Sequence, residues 1–162
     1  MKQKFINQGL LICAVLILVI LSSGCATTRM YTGEALPKEK IAVITGSHNQ
    51  RFLSSKGVDV SIVSVNEEWL KKPYQGRFQR IEVIPGGHEI LAAIYGIQCY
   101  YNGLWGWCNT ILLQQPELEL NVQAGHEYKI KVENWWKPGG FIVIVDTNTG
   151  EVILRNPLGS IF

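Results

Sequence analysis

Glu117–Val132, ELELNVQAGHEYKIKV, is the stretch whose reading decides the fold. Leu118, Leu120 and Val122 alternate with Glu117, Glu119 and Asn121, and Tyr128, Ile130 and Val132 alternate with Glu127, Lys129 and Lys131. A side-chain period of two gives each arm one apolar and one polar face, as in a half-buried strand. With Gln123-Ala124-Gly125 as the loop, Leu120 stands opposite Tyr128 and Leu118 opposite Ile130, while Glu119 faces Lys129 and Glu117 faces Lys131. Such cross-strand pairs contribute roughly 0.2–1 kcal/mol each, and a three-residue loop with glycine in the left-handed position can close them. The segment reads as an antiparallel hairpin.

The same grammar extends outward. Ile41–Thr45, Val58–Val65, Ile81–Ile84, Ile90–Tyr95, Ile111–Leu113, Leu118–Val122, Tyr128–Val132, Phe141–Val145 and Val152–Leu154 are apolar runs too short for helices, rich in β-branched residues and bounded by Gly, Pro, Asn or Asp. They predict an all-β domain over residues 39–162, a small antiparallel β-sandwich or flattened barrel. Asp146–Gly150 supplies turn residues for a hairpin over Phe141–Leu154. The best helical exception is Val65–Lys72, where Asn66 would cap one short turn. Gly87-His88-Glu89 repeats the text of Gly125-His126-Glu127, which suggests a repeated turn device. Ile81–Ile94 resembles the Pro-x-Gly-x-His hairpin of PEGA-like β-sandwich modules in bacterial surface proteins; the resemblance implies a small β-sandwich and a non-catalytic role.

Ahead of this domain, Lys2 and Lys4 precede an apolar run, Leu10–Leu21, of twelve residues, followed by Ser22, Ser23, Gly24 and Cys25. The run fits a signal-peptide core of ~7–15 residues and falls short of the ~20 that a spanning helix needs. At Cys25 the segment resembles the lipobox of bacterial lipoproteins, with Ser22 standing where that family most often has leucine. The resemblance implies that residues 1–24 are removed and that the Cys25 thiol carries a diacylglycerol, its new amine acylated. Ala26 instead of Asp after the cysteine resembles the sorting pattern of outer-membrane lipoproteins facing the periplasm. Residues 25–38, polar and interrupted by Gly33 and Pro37, read as a tether. Two or three acyl chains hold a protein firmly on a membrane.

The mature chain is electrically balanced. Removing Lys2 and Lys4 leaves thirteen basic residues against thirteen acidic ones, with no basic footprint for nucleic acid. Cys99 and Cys108 remain as an even pair in an exported domain and are read as a disulfide. Placed opposite one another, they set Tyr100 against Trp107 and Asn102 against Trp105, with the turn at Gly103-Leu104. The enclosed segment, YYNGLWGW, holds four aromatics. Tyr100, Tyr101, Trp105 and Trp107 are thus candidate binding residues on a rigid tip, and Trp135 and Trp136 form a second candidate patch. The competing reading has these rings capping an open end of the sandwich.

No nucleophile motif surrounds Ser54, Ser55, Ser61 or Ser64, and Glu67 and Glu68 are adjacent, so they do not converge. Neither paired-Cys nor paired-His spacing offers a metal site, and no glycine loop offers a phosphate cradle. The expectation is a non-enzymatic envelope lipoprotein without cofactor, bound to the membrane through its lipid, that binds or scaffolds an envelope protein or glycan. The alternative is a ligand-binding or lysozyme-inhibitor-like lipoprotein using the Cys99–Cys108 loop.

Overall fold

A computed structural model describes residues 27–50, 56–70, 79–102, 105–135 and 140–158. The signal segment 1–24, the lipidation candidate Cys25, Ser54, Ser55, the turn Gly103-Leu104 and Trp136 lie outside the described residues. Among those described, two six-stranded sheets pack as a β-sandwich that is not closed into a barrel. One sheet is ordered β1 (Thr27–Arg29), β6 (Arg80–Val83), β2 (Ala42–Thr45), β10 (Glu127–Glu133), β11 (Phe141–Asp146), β12 (Val152–Pro157). The other is ordered β3 (Ser47–Gln50), β4 (Lys56–Val65), β7 (Gly86–Asn102), β8 (Trp105–Gln114), with β5 (Glu68–Trp69) beside β4 and β9 (Glu117–Val122) beside β7. Pairing is antiparallel apart from β1 with β6 and β2 with β10.

The core is where the alternation put it. Ile44, Ile81, Tyr128, Ile130, Ile142 and Ile144 from one sheet meet Val58, Val60, Ile62, Ile90 and Ile94 from the other, all fully buried. Burying a side chain of this size contributes roughly 1.5–3 kcal/mol. Gln79 seals an irregularity in this layer. Its side chain donates to the Ile62 carbonyl at 2.5 Å and accepts the Ile62 N–H at 2.6 Å, where β4 bulges between Ile62 and Ser64.

The pairing read for Glu117–Val132 is overturned, although its faces are right. Leu118, Leu120 and Val122 are buried, as are Tyr128, Ile130 and Val132, but β9 pairs with β7 and β10 pairs with β2 and β11. Residues 123–126 form an arch that carries the chain from one sheet to the other. Glu119 consequently faces Glu89, and Lys131 bonds Glu133 at 3.0 Å on its own strand. Two strands packed face to face bury the same alternating residues as two strands paired edge to edge, so alternation cannot tell them apart. Ile81–Ile94 is corrected in the same way: β6 and β7 lie in different sheets, joined by an arch at Ile84-Pro85. The Phe141–Leu154 hairpin forms, with Ile144 opposite Leu154.

Asn66 caps no helix. Asn66 and Glu67 have φ of 50° and 65° and make the two-residue turn between β4 and β5, where Val65 faces Glu68. Two left-handed residues in succession give a hairpin turn of the I′ kind, which asparagine favours. The segment read as a tether also contributes to the sheet. Thr27–Arg29 pairs with β6, Met30 packs on the core, and the Tyr31 hydroxyl donates to Glu82 at 3.1 Å.

Strand directions place the N-terminal end of β1. β3 and β7 run the same way, because both are antiparallel to β4. β2 passes into β3 through Gly46 alone, which is too short a link to reverse a strand, so β2 shares that direction. β6 opposes β2, and β1, parallel to β6, opposes β7. The N-terminal end of β1, at Thr27, therefore faces the end of the sandwich toward which β7 runs.

A double-mutant cycle checks the arches. Glu119→Ala and Lys129→Ala should show no coupling in urea unfolding, where a facing pair would show roughly 0.2–1 kcal/mol. A cycle on Val143 and Arg155, which are paired on β11 and β12, serves as the positive control.

Candidate functional site

The long arm β7 pairs β9 over its first six residues and β8 from Ile94 to Asn102, along the same edge. On its other edge, β4 accompanies it only as far as Gln98. Beyond that level, among the described residues, β7 and β8 continue as a two-stranded ribbon. Its register is the one read from the cysteines: Cys99 faces Cys108, Tyr100 faces Trp107 and Asn102 faces Trp105. The sulfurs of Cys99 and Cys108 are bonded at 2.01 Å, with Cα atoms 4.0 Å apart.

The inner face of β7 is core at Ile90, Ala92 and Ile94. Continuing the alternation, that face passes to Gly96, Gln98 and Tyr100, which lie opposite Ile111, Asn109 and Trp107. The opposing sheet no longer covers it there. Tyr100 is 42% exposed, Trp107 57% and Ile111 58%; on the other face Leu112 is 48% exposed. The Tyr100 and Trp107 rings stack with centroids 5.8 Å apart. Two flat rings held beside a disulfide present apolar area with little side-chain freedom left to lose. Closing the Cys99–Cys108 loop stabilises by ~2–3 kcal/mol through loop-closure entropy, and the constraint acts on the ribbon itself.

Of the other candidates, Tyr101 and Trp105 are placed by strand register only. Trp135 is corrected. It is 7% exposed and belongs to the core between the sheets, so it offers nothing to a partner. Composition could not separate a buried tryptophan near a strand end from an exposed one. Ile111 and Leu112 were not singled out from the sequence, although a signal existed. Ile90–Pro116 is a run of 27 residues without a charged side chain, in a chain that otherwise punctuates its strands with Lys, Glu, Arg and Asp.

Two of the three histidines, His88 and His126, serve the arches. His88 Nε2–H donates to the Ile84 carbonyl at 2.8 Å, and its Nδ1 accepts from Asn66 at 3.0 Å. His126 Nδ1–H donates to Asp146 at 2.6 Å. His48 bonds Asp59 across the β3–β4 pair. Burial pushes the Asp146 carboxyl up, but the hydrogen bond from His126 and the backbone N–H groups of Asn148 and Thr149 outweigh it and hold its pKa below the usual carboxylate value. Ser61 and Ser64 are buried in β4. Among the described residues no group of three or more His, Cys, Asp or Glu side chains is placed to hold a metal ion. No family model, curated protein or solved structure matches the chain. Geometry therefore carries the functional reading.

Asp146 also sets an acid limit. A carboxyl whose folded pKa lies below its unfolded value of about 3.9 contributes stability above that pH, lost as the pH falls through the folded pKa. Urea midpoints should thus decline below about pH 4. Asp146→Asn should lower stability by ~1–3 kcal/mol at neutral pH and flatten that acid limb.

Proposed function

We propose that the chain is a lipid-anchored lipoprotein of the cell envelope, without enzymatic activity, whose disulfide-clamped hairpin is the element that engages another envelope component. The lipobox-like Leu10–Cys25 supports the anchor, and Ala26 supports placement at the outer membrane. The observation that carries the binding role is the ribbon: it projects past the sandwich with Tyr100, Trp107 and Ile111 exposed, on the continuation of the face that is core further back along β7. A stiff, aromatic, uncharged projection gives contact area at small entropic cost. The three histidines, by contrast, are occupied in structural hydrogen bonds.

The exposure of the rings also favours a second reading over a ligand cavity. A narrow clamped hairpin is a shape that enters a cleft, as an inhibitor of a lysozyme-like enzyme would. Inhibition by the purified protein that disappears in Trp107→Ser would establish it.

Two measurements test the main reading. Cys25→Ala should move the protein from the membrane pellet to the supernatant after a carbonate wash; retention in the pellet contradicts the anchor. A photo-crosslinking residue at Tyr100 in intact cells should give adducts that the same residue placed at Glu151, on the β11–β12 turn, does not.

A further inference from the structure

We infer that the component engaged by the hairpin is the lipid interface of the bilayer that holds Cys25, so that the domain touches the membrane twice, through its lipid and through Tyr100, Trp107 and Ile111. This rests on the anchored reading above and names the partner of the same surface.

The first argument is position. Thr27 pairs with Arg80, which pairs with Thr45, and Thr45 precedes by two residues Ser47, which is level with Val60 and Ile94. The N-terminal end of β1 thus lies near the level of Ala92 and faces the hairpin end. Cys25 is two residues further on, a reach of at most ~7 Å. Tyr100 lies six residues beyond Ile94 in the same direction, ~20 Å at strand rise. A bilayer gripped by so short a leader lies beside the end of the sandwich from which the ribbon projects, and the ribbon, which extends past the point of attachment, meets it by lying along the surface.

The second argument is chemistry. Tryptophan and tyrosine favour the membrane–water boundary, where an apolar ring and a polar tip are both accommodated. The ribbon brings no charge to that boundary, since none occurs between Ile90 and Pro116. Its polar positions include Gln98 and Asn109, paired across the ribbon, which suit headgroups. The outer edge of β8 pairs with no described strand. An open backbone edge is not tolerated in hydrocarbon, so the ribbon rests among headgroups with its rings downward and does not span.

The third argument is the opposite end of the same sheet. Glu67, Glu89 and Glu119 surround a concave surface beside the Asn66 turn, and Glu89 and Glu119 face one another across the β7–β9 pair. Anionic headgroups repel that end and leave the hairpin end, whose ribbon carries no charge, as the one that approaches. Because the acyl chains already confine the domain to the surface, a contact too weak to recruit a free protein suffices to orient a tethered one.

The test uses the full acylated protein in phosphatidylcholine vesicles with brominated acyl chains, which quench nearby tryptophan. Quenching should be clear in the parent and largely lost in the double variant Trp105→Phe/Trp107→Phe, which removes both ribbon reporters and keeps the apolar rings. Trp135→Phe, which removes a core reporter, should leave it unchanged. Tyr100→Ser with Ile111→Ser should diminish the quenching of Trp107 while the protein still floats with the vesicles. Equal quenching in the parent and the Trp105→Phe/Trp107→Phe variant, with the acyl mass on Cys25 confirmed, overturns the lipid contact and leaves the anchor standing. A cross-linked dimer through the hairpin would overturn it in favour of a second copy. Failure to float, with no acyl mass, removes the anchor and the inference with it.

Discussion

The arches are the constraint on which the rest of the sandwich depends. A chain that crosses between two sheets leaves a stretch of backbone that neither ladder can satisfy, and buried or half-buried amides must find partners elsewhere. Two of the crossings, β6 to β7 and β9 to β10, solve this with one device, borrowed from a neighbouring turn. At the first, the Asn66 side chain accepts the Glu89 N–H, the Asn66 N–H donates to the Glu89 carbonyl, and Asn66 bonds His88. At the second, the Asn148 side chain accepts the Glu127 N–H, the Thr147 N–H donates to the Glu127 carbonyl, and Asp146 bonds His126. Each arch is laced to a hairpin turn by the same three kinds of bond. The repeated Gly-His-Glu text is the trace of that latch.

The latch explains why the faces of the strands were legible and their partners were not. Alternation in Leu118–Val122 and Tyr128–Val132 reports which side chains are buried, a property of one strand and its pleat. Whether the next strand pairs at the edge or stacks across the core depends on Asn148 and Asp146, about twenty residues downstream in the chain. Local text carries no record of them. The disulfide ribbon is the opposite case. Cys99 and Cys108 state a register by themselves, and the pairs Tyr100–Trp107 and Asn102–Trp105 follow by counting. Asn66 misled for a related reason: asparagine caps helices and also occupies left-handed turn positions, and only β5 returning along β4 selects the second role.

The candidate surface was half legible for similar reasons. The four aromatics between the cysteines are plain in the sequence, but whether they are covered depends on how far the opposing sheet extends. β10 and β11 have seven and six residues against seventeen in β7. The mismatch in strand length, and not the identity of the rings, exposes Tyr100 and Trp107. Trp135 shows the converse. It follows the end of β10, where both sheets are still present, and it is swallowed by the core.

An uncharged edge strand with exposed isoleucine and leucine is a hazard, because open N–H and C=O groups template pairing with another chain. Proteins ordinarily blunt such edges with lysine or proline. Here β12 at the other sheet's edge carries Arg155 and ends at Pro157, and β1 carries Arg29, whereas β8 carries no such guard. The disulfide limits the danger by holding the ribbon as a narrow two-stranded unit, yet it cannot satisfy the outer edge. Retaining on the long β8 an edge that no described strand covers, while β12 and β1 are guarded, is intelligible if that edge is covered in the protein's working state. The protection is then supplied by what the hairpin contacts, and the absence of charge that would be a liability in solution becomes the condition for the contact.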